Sequence, residues 1–433
     1  MSRFRIPRTA LVILALTALV ASCTPGTVDT TAGSETPPPT TATSVPASSA
    51  PESTTTVVST QESTTTTYGD GTTVLNVADA TPIPADSYEL LFDYPQWPDE
   101  ETIRGLMAAT AGGDFLGTTS PMPAVGGPDG IVMYPETLIV VDSSGTVNAL
   151  SMPESDVAYQ APVATSGGGT YVWRETTSTN LYFEDYRILA VKSGETALTV
   201  VADSADTTPE GKVLPMLPDV ERSLATDGEN VYWTAATPVD AEGGFYSTVL
   251  NAHAADGSGS TRVLAENVVF PIMMGDKLLA VRYPGFDPDA TEGLFEVVQV
   301  DTHSGGVAPF VSFEVSDTSV LVDLCATADY LALAVSKRIQ IRYASDIDTI
   351  ATYVRVNGDG TKLGCGDSFL AWGNGSGSGD AGEYLLDLDN NDIYKLGSLE
   401  GGSIVMAAGD YFAWTKKTPD SLFFTFRAAR WER

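Results

Sequence analysis

Two histidines, three cysteines and 56 aspartates and glutamates make up nearly all the reactive side chains of this 433-residue chain. Carboxylates are therefore the one chemistry present in quantity. A pair of them hydrolyses glycosides when held about 5 to 10 Å apart, but spacing alone selects no pair from so many. The run Asp387-Leu388-Asp389-Asn390-Asn391-Asp392 is more specific, because Asp387, Asp389 and Asn391 alternate oxygen donors as the opening of a calcium loop does. Position six of that run is Asp392 where such a loop turns on Gly, and position twelve is Ser398 where a Glu closes it. A hairpin turn accounts for the same residues, and the run remains a weak calcium candidate. His253 and His303 fall in or beside expected turns, which expose an imidazole to water and do not orient it in a cleft, so no Ser-His-Asp triad is expected. Two histidines at this spacing make neither a zinc nor a haem site, and no cofactor is expected. Lys and Arg number 23, for a net charge of −33. That excludes nucleic acid as a partner, since binding it requires cations to displace phosphate counterions.

The elements that would position any such groups are short and repeated. Small residues, then Gly or Asp, then two or three aromatic or aliphatic residues recur as Gly112-Gly113-Asp114-Phe115-Leu116, Gly168-Gly169-Thr170-Tyr171-Val172-Trp173 and Gly228-Glu229-Asn230-Val231-Tyr232-Trp233. Further copies begin at Gly275, Ala328, Gly366 and Gly409, at intervals of about 50 residues. Each copy is followed by strand, turn and strand. Leu138 to Leu150 about Asp142-Ser143-Ser144-Gly145 and Tyr384 to Leu396 about Asp389-Asn390-Asn391-Asp392 are examples, with turn residues where positive φ is needed. Two hairpins per unit is the period of a four-stranded propeller blade. Trp173, Trp233, Trp372 and Trp414 recur with that period, which assigns them to packing between blades and not to a stacking platform for a ligand. The repeat strand is taken as the innermost of its blade, and Pro98 to Met107 is allowed at most a short helix.

Residues 81–433 are accordingly read as all-β, a single β-propeller of about seven four-stranded blades, with six or eight also compatible. A sheet sandwich would accommodate the same strand signals. The stretch Leu224 to Thr234, with Tyr232-Trp233-Thr234, resembles TolB-type and YWTD-type propellers, although Ala235 stands where the YWTD repeat has Asp. The last repeat leaves too few residues for a whole blade. Tyr88-Glu89-Leu90-Leu91-Phe92-Asp93-Tyr94 alternates suitably to supply the missing outer strand.

The N-terminus carries a different kind of information. Arg3, Arg5 and Arg8 precede an apolar stretch from Ala10 to Val20 that is too short to span a bilayer, so residues 1–22 read as a signal peptide. Val20-Ala21-Ser22-Cys23 resembles the bacterial lipobox, which implies a lipidated Cys23 and a membrane partner through that anchor. Residues 23–80 follow as a linker rich in Thr, Ser and Pro that cannot bury enough apolar surface to order itself. With Cys23 assigned to lipid, Cys325 and Cys365 remain, each just before a repeat strand in successive blades. A disulfide between them is expected, with two buried thiols as the alternative. Together these readings describe an extracytoplasmic, membrane-tethered module that binds or scaffolds a protein, peptide or cell-wall glycan. The alternative is an extracytoplasmic hydrolase or lyase with a carboxylate site at the channel mouth.

Overall fold

The computed structural model describes residues 66–67, 71–99, 101–121, 136–155, 160–176, 186–204, 222–238, 246–282, 293–315, 321–335, 337–356, 361–374, 381–397, 404–417 and 424–433. The signal peptide, Cys23 and most of the linker lie outside these residues.

Seven sheets form seven blades, each built on four antiparallel strands. Their innermost strands are Thr102–Ala109, Gln160–Gly167, Leu224–Thr226, Val268–Met274, Leu321–Ala326, Lys362–Cys365 and Met406–Ala408, for blades 1 to 7 in that order. Each of these strands touches the innermost strand of the next blade, and blade 7 touches blade 1, so the ring is closed. The chain is a seven-bladed β-propeller.

The repeat strands are Phe115–Pro121, Thr170–Thr176, Asn230–Pro238, Lys277–Arg282, Tyr330–Val335, Phe369–Asn374 and Tyr411–Lys417. They are second in each blade, not innermost. A second strand has a sheet neighbour on both edges and a packed blade on both faces, which is why its first residues are mostly apolar and buried. The innermost strands are short and face the axis on one edge. Trp173, Trp233 and Trp372 are fully buried between blades and Trp414 almost so. Among the described residues of Pro98 to Met107 there is no helix; Thr102–Ala109 instead pairs with Phe115–Pro121, because the strand that follows the turn supplies a partner edge that local propensity does not anticipate.

Ring closure falls to the N-terminal segment. Tyr88–Pro95 pairs antiparallel with Phe424–Trp431 and becomes the outermost strand of blade 7, with Tyr94 buried against Phe426. Upstream, Thr73–Asn76 adds in parallel to Thr352–Arg355 at the rim of blade 5, and Thr81–Pro82 adds in parallel to Asp392–Gly397 at the rim of blade 6. Part of the stretch expected to be linker is therefore built into the propeller. Leu75 and Val77 explain it, since both enter the core shared by blades 5 and 6.

At the end of the ring that carries the inner-to-second turns, glycine is required where neighbouring turns interlock. Gly168 has φ 53° and a Cβ there would lie 2.2 Å from the Asp227 carbonyl oxygen; on Gly228, with φ 97°, it would lie 2.6 Å from the Gly168 oxygen.

Candidate functional site at the axial opening

Near one end of the ring a side chain of blade 3 reaches the innermost strands of blades 5 and 6. Arg222 lies two residues before the innermost strand of blade 3, and its guanidinium reaches Asp323 on that of blade 5, with Nε donating to Oδ1 at 2.7 Å and Nη2 to Oδ2 at 2.8 Å. Nη2 also donates to the Leu363 carbonyl on the innermost strand of blade 6. Blade 4 separates blades 3 and 5 in the ring, so the clasp passes along the inside of its wall. That wall is distorted: Phe270 has φ 53° and the pairing with Lys277–Arg282 slips between Val269 and Ile272. A bulky residue in the left-handed region is costly and persists only when its surroundings enforce it.

Asp323 is fully buried and accepts two further bonds, from the amides of Leu363 at 2.8 Å and Leu324 at 2.9 Å. Four donors on one carboxylate, two from a bidentate guanidinium, make an arrangement that holds strands together and leaves little capacity for proton transfer. Two residues along the same pair of strands, Cys325 and Cys365 form the expected disulfide, with Cα atoms 5.7 Å apart.

Two other carboxyls are buried among apolar groups. Glu383 on blade 6 accepts from the Thr415 amide at 2.9 Å and from the Thr415 hydroxyl on blade 7. Its other oxygen makes no hydrogen bond of ordinary geometry, although the nearby Ile404 amide favours the charged form. Burial outweighs these donors and pushes the Glu383 carboxyl up to about 8. Glu175 on blade 2 is raised by burial too, opposed by Arg187, whose Nε donates to it at 2.6 Å. These two acids sit in different blades and form no catalytic pair. At the opposite mouth, Asp114, Asp227, Asp276, Asp329, Asp367 and Asp410 occupy or adjoin six of the seven inner-to-second turns. Asp367 is raised by burial and then by the negative charges of Asp410 and Asp329.

The calcium candidates resolve into a turn. Asp387 accepts from the amides of Asp389 at 3.0 Å and Asn390 at 3.2 Å and from the Asn390 side chain, while Asn391 takes φ 58°. Asp142, Asp256 and Asp301 cap the corresponding hairpins of other blades in the same way. Among the described residues no group of three or more His, Cys, Asp and Glu is placed to hold a metal. His303 is exposed in its turn, whereas His253 lies within the strand Tyr246–Ala254 and is buried, because that strand runs one residue past it before the hairpin. Nothing in the spacing of Arg222, Phe270 or Asp323 marks them in the sequence.

No protein-family model and no curated protein sequence matches this chain. Solved structures match in fold. An acylaminoacyl peptidase of Pyrococcus horikoshii is 11% identical with a TM-score of 0.47, covering 78% of this chain and 51% of that one. The β-propeller domain of the trilobed protease of Pyrococcus furiosus, reported to have an open velcro topology, is 12% identical at 0.45, covering 76% and 95%. An oligogalacturonate lyase in complex with manganese is 10% identical at 0.45, covering 82% and 99%. The chain spans about half the length of the first of these. At such identities the likeness concerns the fold alone.

Proposed function

We propose that the protein is a membrane-tethered, extracytoplasmic β-propeller that serves as a binding or scaffolding module for a protein, peptide or cell-wall glycan. One observation carries this reading. The connections between second and third strands, residues 122–136, 177–185, 239–245 and 283–292, all leave from one end of the ring, as does the link 204–223 between blades 2 and 3. At the opposite end the inner-to-second turns are confined to short segments such as 168–169, 275–276 and 409–410. Connections that start and end on one face of a rigid scaffold are the usual place for recognition, because they vary without disturbing the core. The axial carboxylate Asp323 is meanwhile committed to four donors, which favours recognition over hydrolysis or lysis.

Crosslinking on intact cells tests the reading. Replacing residues 122–136 and 283–292 with short Gly-Ser connections should abolish the crosslinked partner or the cosedimentation with cell-wall glycan. Asp276→Asn with Asp410→Asn at the other end should leave both unchanged. Equal capture by the two variants would overturn it.

A further inference from the structure

The disulfide and the axial clasp belong to one device. Asp323 and Cys325 alternate onto the same face of Leu321–Ala326, and Leu363 and Cys365 onto the facing side of Lys362–Cys365. The two innermost strands are thus joined by two rungs, a covalent one at Cys325–Cys365 and a hydrogen-bonded one from the Leu363 amide to Asp323. Arg222 needs both strands at once, because Nη2 divides its donors between the Asp323 carboxylate and the Leu363 carbonyl. If the strands part, the carboxylate and carbonyl no longer converge on one guanidinium.

We propose that the Cys325–Cys365 disulfide is the positioning element of a conformational lock. It fixes the spacing of the innermost strands of blades 5 and 6, so that one guanidinium from blade 3 can hold both, and without it that clasp releases. This goes beyond the binding role proposed above, and either can fail without the other.

Hydrogen–deuterium exchange on the full chain provides the first test. In Cys325→Ala/Cys365→Ala the Leu363 and Leu324 amides should exchange at least about tenfold faster, while the amides of Phe369–Asn374 keep their protection. Arg222→Met should produce the same local rise, and combining it with the cysteine variant should add little. Unchanged protection at Leu363, or a uniform rise through all of blade 6, overturns the proposal; the second result would make the disulfide a general stabiliser only.

A reciprocal measurement does not depend on the cysteine variant folding. If the staple supports the clasp, the clasp supports the staple by the same factor. In a dithiothreitol buffer the reagent's two thiols give two electrons and two protons to Cys325–Cys365, leaving two protein thiols and the cyclic disulfide of the reagent. Arg222→Met should shift the native-state ratio of thiol to disulfide about tenfold toward thiol. An identical ratio in wild type and Arg222→Met likewise overturns the lock.

Discussion

A carboxyl buried among apolar groups gives this protein one pH-dependent contribution to stability. Glu383 is held at about 8 when folded, above its ordinary value of 4.5, so the folded state binds the proton more tightly than the unfolded chain. Its contribution is complete below pH 4.5 and is lost as pH rises to 8. Stability should therefore decline across that window by a few kcal/mol. Glu383→Gln keeps the acceptor for Thr415 and cannot ionise. Melts between pH 5 and 9 should show it matching wild type at pH 5 and exceeding it at pH 8, and parallel curves would refute the assignment. Arg222 works in the opposite sense. Removing it strands a buried carboxylate on two backbone donors, and with the arginine about a third exposed we expect Arg222→Met to cost about 2 to 4 kcal/mol in urea unfolding. Arg222→Met with Asp323→Leu should recover part of the loss, because no charge is then left buried.

The element with the most influence for its length is the N-terminal segment that follows the rim. It touches three successive blades, and its contributions are unequal. Thr73–Asn76 and Thr81–Pro82 add strands to sheets that already have four, while Tyr88–Pro95 completes a sheet that otherwise has three. Removing residues 24–65 should leave the melting temperature unchanged. Removing 24–84 should lower it by several degrees through loss of Leu75 and Val77 from the core, and removing 24–95 should abolish cooperative melting. Equal melting temperatures for the last two would show that blade 7 closes without its outer strand. The tryptophans of the second strands act at this scale too. Trp233→Ala should cost about 3 to 5 kcal/mol, because a fully buried side chain between blades 2 and 3 leaves a cavity that rigid sheets cannot collapse.

For the whole molecule, the ring offers two unlike faces, one with short inner-to-second turns and one from which the longer connections leave. The proposed anchor at Cys23 predicts that wild type partitions into detergent from the envelope and that Cys23→Ala is either released or retained unprocessed. Soluble, unlipidated wild type would refute the anchor. The Cys325–Cys365 link closes a loop with a sequence separation of 40, worth about 4 kcal/mol in the chain-entropy model, and so it secures blades 5 and 6, which carry the first part of the rim segment.

What the sequence determined by itself was whatever repeats or is local. The period of about 50 residues announced a propeller of about seven blades with six and eight still open, the tryptophans announced the core between blades, and the Asp-led hairpins announced their turns. Tyr88 to Tyr94 was legible as the closing strand because its alternation had no other partner in the chain. The cysteine pair was legible because equivalent positions in successive repeats must be neighbours. Tertiary structure alone decided which strand of each blade carries the repeat motif, since inner and second strands differ in how many neighbours they have and not in local pattern. It also decided that His253 is buried and that Leu75 and Val77 belong to the core. The clasp of Arg222, Asp323 and Leu363 was equally invisible beforehand: its members come from three blades, and only closing the ring brings charges 101 residues apart in sequence to within 2.7 Å.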